Sequence, residues 1–248
     1  MNYSHKYLEK AAFYDLLAHY YKYTDPNKHI HYYQKHLDNM NKALQSPRSE
    51  MTQYAHLPAY VRFLHASPDS MNVDVFVNGK KVLKNIAFKE VSDYLTFPTG
   101  KYHIDIYPTG DSVTTIISKK IAVEEGKIYT YTILGTSEKL QLLPYEDKPR
   151  VHPNETKIRS IHLSPDAPAV DIAVKGGDVV FPNISFKQAT DYLPLSPMPV
   201  DLEARIAGTN TVALSIPTLT LRPNESYTVL IVGFVDGEPP LESLVIKG

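Results

Sequence analysis

The feature that most limits how this chain can fold is an internal repeat. Arg62, His65, Ser67, Pro68, Asp69, Val73, Asp74 and Gly79 recur at a constant offset of 97 as Arg159, His162, Ser164, Pro165, Asp166, Val170, Asp171 and Gly176. After one inserted residue the offset becomes 98. Asn85-Ile86, Phe88, Asp93-Tyr94-Leu95, Gly110, Tyr129 and Gly135 then match Asn183-Ile184, Phe186, Asp191-Tyr192-Leu193, Gly208, Tyr227 and Gly233. A register held this long means that one folding unit is present twice. Its texture is β: YVRFLHAS, VDVFV, YHIDIY, VTTIIS and IYTYTIL are β-branched or aromatic runs separated by Gly, Pro, Asn or Asp. Asn78-Gly79 signals a two-residue hairpin, because a type I′ turn needs positive φ at both positions. With about seven strands per copy, the expected class is mainly β, two tandem Ig-like antiparallel β-sandwiches. The copies are placed at 58–145 and 157–248, with a Pro- and charge-rich linker at 146–156.

Residues 1–57 are different. They hold nine of the 18 Tyr and six of the 10 His, and no Gly. Tyr7, Ala11, Tyr14, Ala18 and Tyr21 fall at helical spacing, as do Ile30, Tyr33, Leu37, Met40 and Leu44. Thr24-Asp25-Pro26 supplies an N-cap followed by proline at the first helical position. SPRSEMTQ (46–53) then breaks the pattern. The expectation is an α-helical hairpin whose second stripe, Ile30 to Leu44, serves as a docking or oligomerisation face, since two short helices bury little by themselves.

Composition excludes several function classes. The chain is 43% hydrophobic, 21% charged and carries a net charge of −1, so no chain-wide basic field gathers nucleic acid. With no Cys, there is no disulfide, zinc–thiolate site or cysteine nucleophile. No window approaches the ~18 apolar residues of a membrane span, and no membrane insertion is expected. MNYSHKYLEKAAFYDLLAHYY does not read as a secretory signal, which places the expected site of synthesis and retention inside the producing cell.

The pattern R-x-x-H-x-S-P-D-A-P-x-V-D-V, followed by N-I-x-F and Y-L, resembles the bacterial domain-of-unknown-function family 4397. RSIHLSPDAPAVDIAV matches it almost letter for letter, whereas the first copy departs at Ser70, Met71 and Asn72. The resemblance covers about 60–246 and implies an all-β sandwich of the kind found in envelope and surface proteins, often in tandem. It implies no activity and no site residues.

Three chemistries are weighed at the repeated corner. A hydrolase reading needs a serine within ~3 Å of its base and an oxyanion hole. On an extended strand His65 and Ser67 stand about 6–7 Å apart, and no G-x-S-x-G elbow surrounds the serine. The favoured reading makes Ser67, Asp69, Ser164 and Asp166 turn residues that accept backbone N–H groups. A calcium reading would use Asp69, Asp74, Asp166 and Asp171, yet only two carboxylates are local to each corner. Cross-strand bridges Arg62–Asp74 and Arg159–Asp171 are preferred. His29, His31 and His36, and Asp15 with His19, are read as a solvated polar face. The pairs Lys80-Lys81 and Lys119-Lys120 are read as protected sheet edges.

The functional expectation is a non-enzymatic structural or interaction protein without cofactors. It would dock on a protein partner or on itself through residues 1–57, as a spore-coat or envelope assembly component. The alternative is a carbohydrate- or calcium-binding module, with Tyr102, Tyr107 and Tyr131 as a sugar platform.

Overall fold

The computed structural model describes the backbone of residues 3–45 and 57–248, and side chains over 6–43 and 57–248. The segment 46–53 and the side chain of Leu44 lie outside the described residues. The chain divides into two compact units between residues 56 and 57.

The first unit is a helical hairpin, α1 (Tyr3–Tyr21) and α2 (Pro26–Gln45). Asp25 caps α2: its Oδ1 accepts the backbone N–H of Lys28 at 3.1 Å, and Pro26 follows as the first helical residue. That amide bond holds the Asp25 carboxyl below its usual range. The seam is built from small residues and histidines. Ala11 and Ala18, seven apart on α1, are buried and let α2 come close. The Nδ1–H of His29 donates to the carbonyl of Ala18 at 2.9 Å, and that of His36 to the carbonyl of Ala11 at 3.0 Å. A carbonyl oxygen can only accept, so both histidines carry their proton on Nδ1. Tyr32 stacks on Tyr14 and Tyr21, closing the same seam. The solvated-face reading of His29 and His36 is therefore corrected. The α1 stripe does face its partner, whereas the α2 stripe lies one residue off the seam. Ile30, Tyr33 and Leu37 are 54%, 46% and 43% exposed.

The second unit contains both repeats. The first has eight strands: β1 (Ala59–His65), β2 (Val73–Val77), β3 (Lys80–Ile86), β4 (Leu95–Phe97), β5 (Gly100–Pro108), β6 (Ile117–Val123), β7 (Ile128–Leu134) and β8 (Gln141–Asp147). The second reproduces them as β9 (Thr156–His162), β10 (Val170–Val174), β11 (Val179–Ile184), β12 (Leu193–Leu195), β13 (Pro199–Ile206), β14 (Val212–Thr220), β15 (Ser226–Val232) and β16 (Glu242–Lys247). The strand beyond the expected seven is the three-residue β4 or β12, too short to show an alternation.

Each copy is a sandwich of two four-stranded sheets, β4-β1-β7-β8 on β3-β2-β5-β6, and β12-β9-β15-β16 on β11-β10-β13-β14. The first strand of each copy runs parallel to the seventh and antiparallel to the fourth. Asn78 and Gly79 sit at φ 49° and 78°, the two positive values of a type I′ turn.

Period-two alternation explains the layers. In β1, Val61 and Phe63 face the first sandwich core, and Leu64 points the other way. In β9, Ile158 faces the second core and Ile161 points away from it. The outward-turned residues meet in a third core that includes Leu64, Leu134, Tyr145, Ile161, Leu230 and Ile246. The two copies thus form a four-layer stack with the β1- and β9-bearing sheets innermost. The expected linker at 146–156 shrinks to residues 148–155, because Glu146 and Asp147 complete β8 and Thr156 opens β9.

Candidate functional site

Two places concentrate chemistry: the repeated SPD corners and a charged cluster between the copies. At the first corner His65 is fully buried, and its Nε2 lies 3.1 Å from the carbonyl of Met71 and 3.0 Å from Ser70 Oγ. The carbonyl requires Nε2 to be protonated, so His65 donates to Ser70 and cannot deprotonate it. Nδ1 accepts the N–H of Ser67 at 3.3 Å. The hydroxyl of Ser67 donates to the carbonyl of Gly135 at 2.8 Å. Asp69 receives the backbone N–H and hydroxyl of Ser137, both at 2.9 Å.

The second corner follows the same plan. His162 Nε2–H donates to the carbonyl of Pro168 at 3.0 Å, and Ser164 donates to Asp166 at 3.1 Å. Asp166 accepts the N–H groups of Val235 and Asp236 at 3.0 Å. Neither corner pairs a serine with a histidine base. The aspartates do accept backbone N–H groups, but from the loop after the seventh strand rather than from their own turn. Burial pulls both histidines below their usual value, outweighing the neighbouring carbonyls. Burial alone would raise the Asp166 carboxyl, but the two amides of the loop outweigh it and the group is held low.

Gly135 and Gly233 recur for a steric reason. Both have positive φ, 104° and 87°, and a Cβ there would collide with the carbonyl oxygens of Lys139 and Pro240.

Asp74 and Asp171 do not bridge to Arg62 and Arg159, which corrects the cross-strand reading. β1 lies in the inner sheet and β2 in the outer one, so the corner carries the chain between layers. Asp74 instead accepts the N–H of Asn85 at 2.8 Å, the hydroxyl of Thr109 at 3.2 Å and the ammonium of Lys81 at 2.5 Å. Desolvation pushes its carboxyl up, but the Lys81 and Asn85 donors outweigh this and hold it low. Asp171 accepts the N–H of Asn183 at 2.6 Å and of Gly208 at 2.9 Å. Asn85 and Asn183 have φ of 57° and 50°, so each aspartate pins a left-handed kink in the neighbouring strand. With N–H donors aimed at them, these carboxylates are poor cation ligands. No group of three metal-ligating side chains exists among the described residues.

The arginines meet elsewhere, on one carboxylate. Arg62 donates through Nε to Thr130 at 2.9 Å and through Nη1 to the carbonyl of Lys247 at 2.7 Å. Its Nη2 lies 3.5 Å from Asp147. Arg159 mirrors it, with Nε to Thr228 at 3.0 Å, Nη1 to the carbonyl of Glu146 at 2.7 Å, and Nη2 on Asp147. Tyr94 and Tyr192 cover the guanidinium groups at 4.5 and 4.6 Å, and Tyr94 donates to Asp147 at 2.8 Å. Burial and the Asp147 charge push the Tyr94 hydroxyl well above its usual value. Each arginine hydrogen-bonds the last strand of the opposite copy, so the cluster ties the copies together. Lys89–Glu242 at 2.9 Å and the Tyr145 hydroxyl on the carbonyl of Lys187 at 2.9 Å extend the tie.

One Ser–His–Asp set escaped sequence reading because only strand register assembles it. On the outer face of β5 and β6, Ser118 donates to Asp105 at 2.7 Å, and His103 Nε2 lies 3.0 Å from Asp105 and 2.8 Å from Ser118. The serine proton sits on the carboxylate, leaving Nε2–H to donate to both. The set is a hydrogen-bonded hub without a base. Of the tyrosines weighed as a sugar platform, Tyr131 is buried and Tyr102 packs on Phe97. Tyr107 lies on the outer sheet against Phe76.

The fold is a duplicated β-sandwich, and neither SPD corner pairs its serine with a histidine base. Residues 59–173 match the family described as Domain of unknown function (DUF4397), the family that the repeated motif resembles. The match spans the first copy and runs into β10 of the second. No curated protein matches the chain. Among solved structures, it is similar to the C-terminal domain of AlgF from P. aeruginosa, at 16% identity over 38% of this chain and 99% of that one, with a TM-score of 0.31. It is also similar to a proposed cell adhesion protein from Bacteroides ovatus, at 10% identity over 78% and 96%, with a TM-score of 0.21. A comparable protein from Bacteroides fragilis gives 10% identity over 76% and 97%, with a TM-score of 0.19. No helix among the described residues is long and apolar enough to cross a membrane.

Proposed function

We propose that the protein is a non-enzymatic assembly component, with two sandwiches fused into one rigid body and a helical hairpin that docks on a protein partner or on a second copy. The observation that carries this reading is the exposed apolar surface of the hairpin. Phe13, Leu16, Tyr20, Ile30, Tyr33 and Leu37 are between 43% and 74% exposed, on helices whose mutual seam is already filled by alanine, histidine and tyrosine. Apolar side chains in such number are usually covered by a partner. A spore coat or another envelope layer is the proposed destination, supported by the Tyr and His enrichment of residues 1–57.

The test compares the full chain with residues 57–248 and with Leu16→Asp/Tyr20→Asp by light scattering. The fragment and the double variant should keep the β circular-dichroism signature and lose the assembly of the full chain. An unchanged assembly state in both contradicts the docking role.

A further inference from the structure

The two copies agree in their corners and cores but differ on their outer sheets. In the first copy, the outer strands β2, β3, β5 and β6 carry Lys80, Lys81, Lys84, Lys101, Lys119 and Lys120 against Asp74 and Asp105, six positive charges to two negative, or +4. The equivalent β10, β11, β13 and β14 carry Arg205 against Asp171, Asp201 and Glu203, or −2. In a chain of net charge −1, basic charge is thus gathered on one sheet. Lys80, Lys84, Lys101 and Lys120 are exposed and have no carboxylate partner among the described residues. In the second copy Arg205 and Glu203 are buried and pair with each other.

The same basic face carries the aromatic pair Phe76 and Tyr107, half-buried with ring centroids 4.9 Å apart. Strand register puts Ala173 and Arg205 at the equivalent positions, Asp74↔Tyr107 corresponding to Asp171↔Arg205 and Phe76↔Asp105 to Ala173↔Glu203. Beside the rings lies the His103–Asp105–Ser118 hub, with Lys120 directly across from His103. Duplication supplied two equivalent faces. Lys81 is held by Asp74 and Lys119 by the carbonyl of Leu142, but the fold asks for neither the rings nor the ammonium groups of Lys84, Lys101 and Lys120 on this one.

We infer that this outer face of the first sandwich binds an acidic polysaccharide, a chain of sugar rings bearing both carboxylates and hydroxyls. The apolar faces of the sugar rings would pack on Phe76 and Tyr107. The ammonium groups of Lys101 and Lys120 take the carboxylates. Ser118 and His103 take Oδ1 of Asp105, which leaves Oδ2 to accept a hydroxyl of the ligand. That carboxylate in the centre of the face is what favours a sugar over nucleic acid, whose backbone presents phosphates and no comparable row of hydroxyl donors. Neighbouring strands are about 4.8 Å apart, so the four-stranded face is roughly three sugar rings wide.

The inference is independent of the hairpin's docking role, and its test reads a different quantity. Full-length protein is titrated calorimetrically with a galacturonate oligosaccharide, a neutral cello-oligosaccharide of equal length and a single-stranded DNA oligonucleotide. Heat is expected from the galacturonate, less of it at high salt, with the neutral sugar and the DNA binding at least about tenfold more weakly. Phe76→Ala and Lys101→Glu/Lys120→Glu should each weaken galacturonate binding about tenfold. Ser215→Glu, on the outer sheet of the second copy, should leave it unchanged, with thermal melts verifying that every variant is folded. Absence of heat with galacturonate overturns the inference. So does wild-type affinity in the double-lysine variant, or equally tight binding of the DNA or the neutral sugar.

Discussion

Replacing Asp147 with alanine tests the joint between the copies. Its carboxylate is fully buried between two guanidinium groups that are themselves 7% and 4% exposed. It also receives the hydroxyls of Tyr94 and Thr130. Removing it strands two buried positive charges at the interface. Breaking a buried ion pair by deleting one partner costs about 3–5 kcal/mol, because the other charge stays desolvated. For a β unit of this size, each kcal/mol lowers the melting temperature by roughly 2–4 °C, which gives a fall of roughly 6–20 °C. The assay is thermal melting by far-ultraviolet circular dichroism at neutral pH, with Glu146→Gln as the control. Glu146 sits next in sequence but pairs with Lys127 at the surface, and its replacement should be close to neutral. If Asp147→Ala melts within a degree or two of wild type, the arginines are solvated in solution and the proposed joint does not exist.

The buried histidines set an acid limit. His65 and His162 have values depressed below 6.5, so the unfolded chain binds protons that the folded one refuses. The stability they contribute is complete above about 6.5 and falls as pH drops below it; His65→Gln/His162→Gln should flatten the melting curve between pH 7 and 5. Gly135→Ala forces a Cβ onto the carbonyl of Lys139 at a positive φ, at a cost of about 1–3 kcal/mol in urea unfolding. Ser164→Ala removes one buried donor to Asp166 and should cost about 1 kcal/mol.

Much of the fold was legible in the sequence because strands alternate with period two and the repeat fixes equivalent positions. Which strands neighbour one another was not. Arg62 and Asp74 sit in successive strands, which invites a cross-strand pair, but the corner between them moves the chain from the inner sheet to the outer. The true partner, Asp147, lies 85 residues beyond Arg62 in a stretch whose proline and charge read as linker. Its position at the end of β8 emerges only from the pairing of Ile128 with Asp147. The recurrence of Tyr94 and Tyr192 was visible, but that each covers an arginine was not. In the hairpin, the spacing of seven between His29 and His36 matched the spacing of seven between Ala11 and Ala18, a complementarity that hydrophobic periodicity does not score. The His103–Asp105–Ser118 hub needs the β5–β6 register before its members meet.

Joined by the third core and the Arg62–Asp147–Arg159 cluster, the two copies should unfold as one body. Hydrogen-exchange mass spectrometry on the full chain across a urea series tests it directly. Peptides from β1–β8 and from β9–β16 should lose protection at a common midpoint, and Asp147→Ala should shift both downward. Midpoints for the two copies separated by more than about 0.5 M in the wild-type chain would show two independent domains and contradict the account.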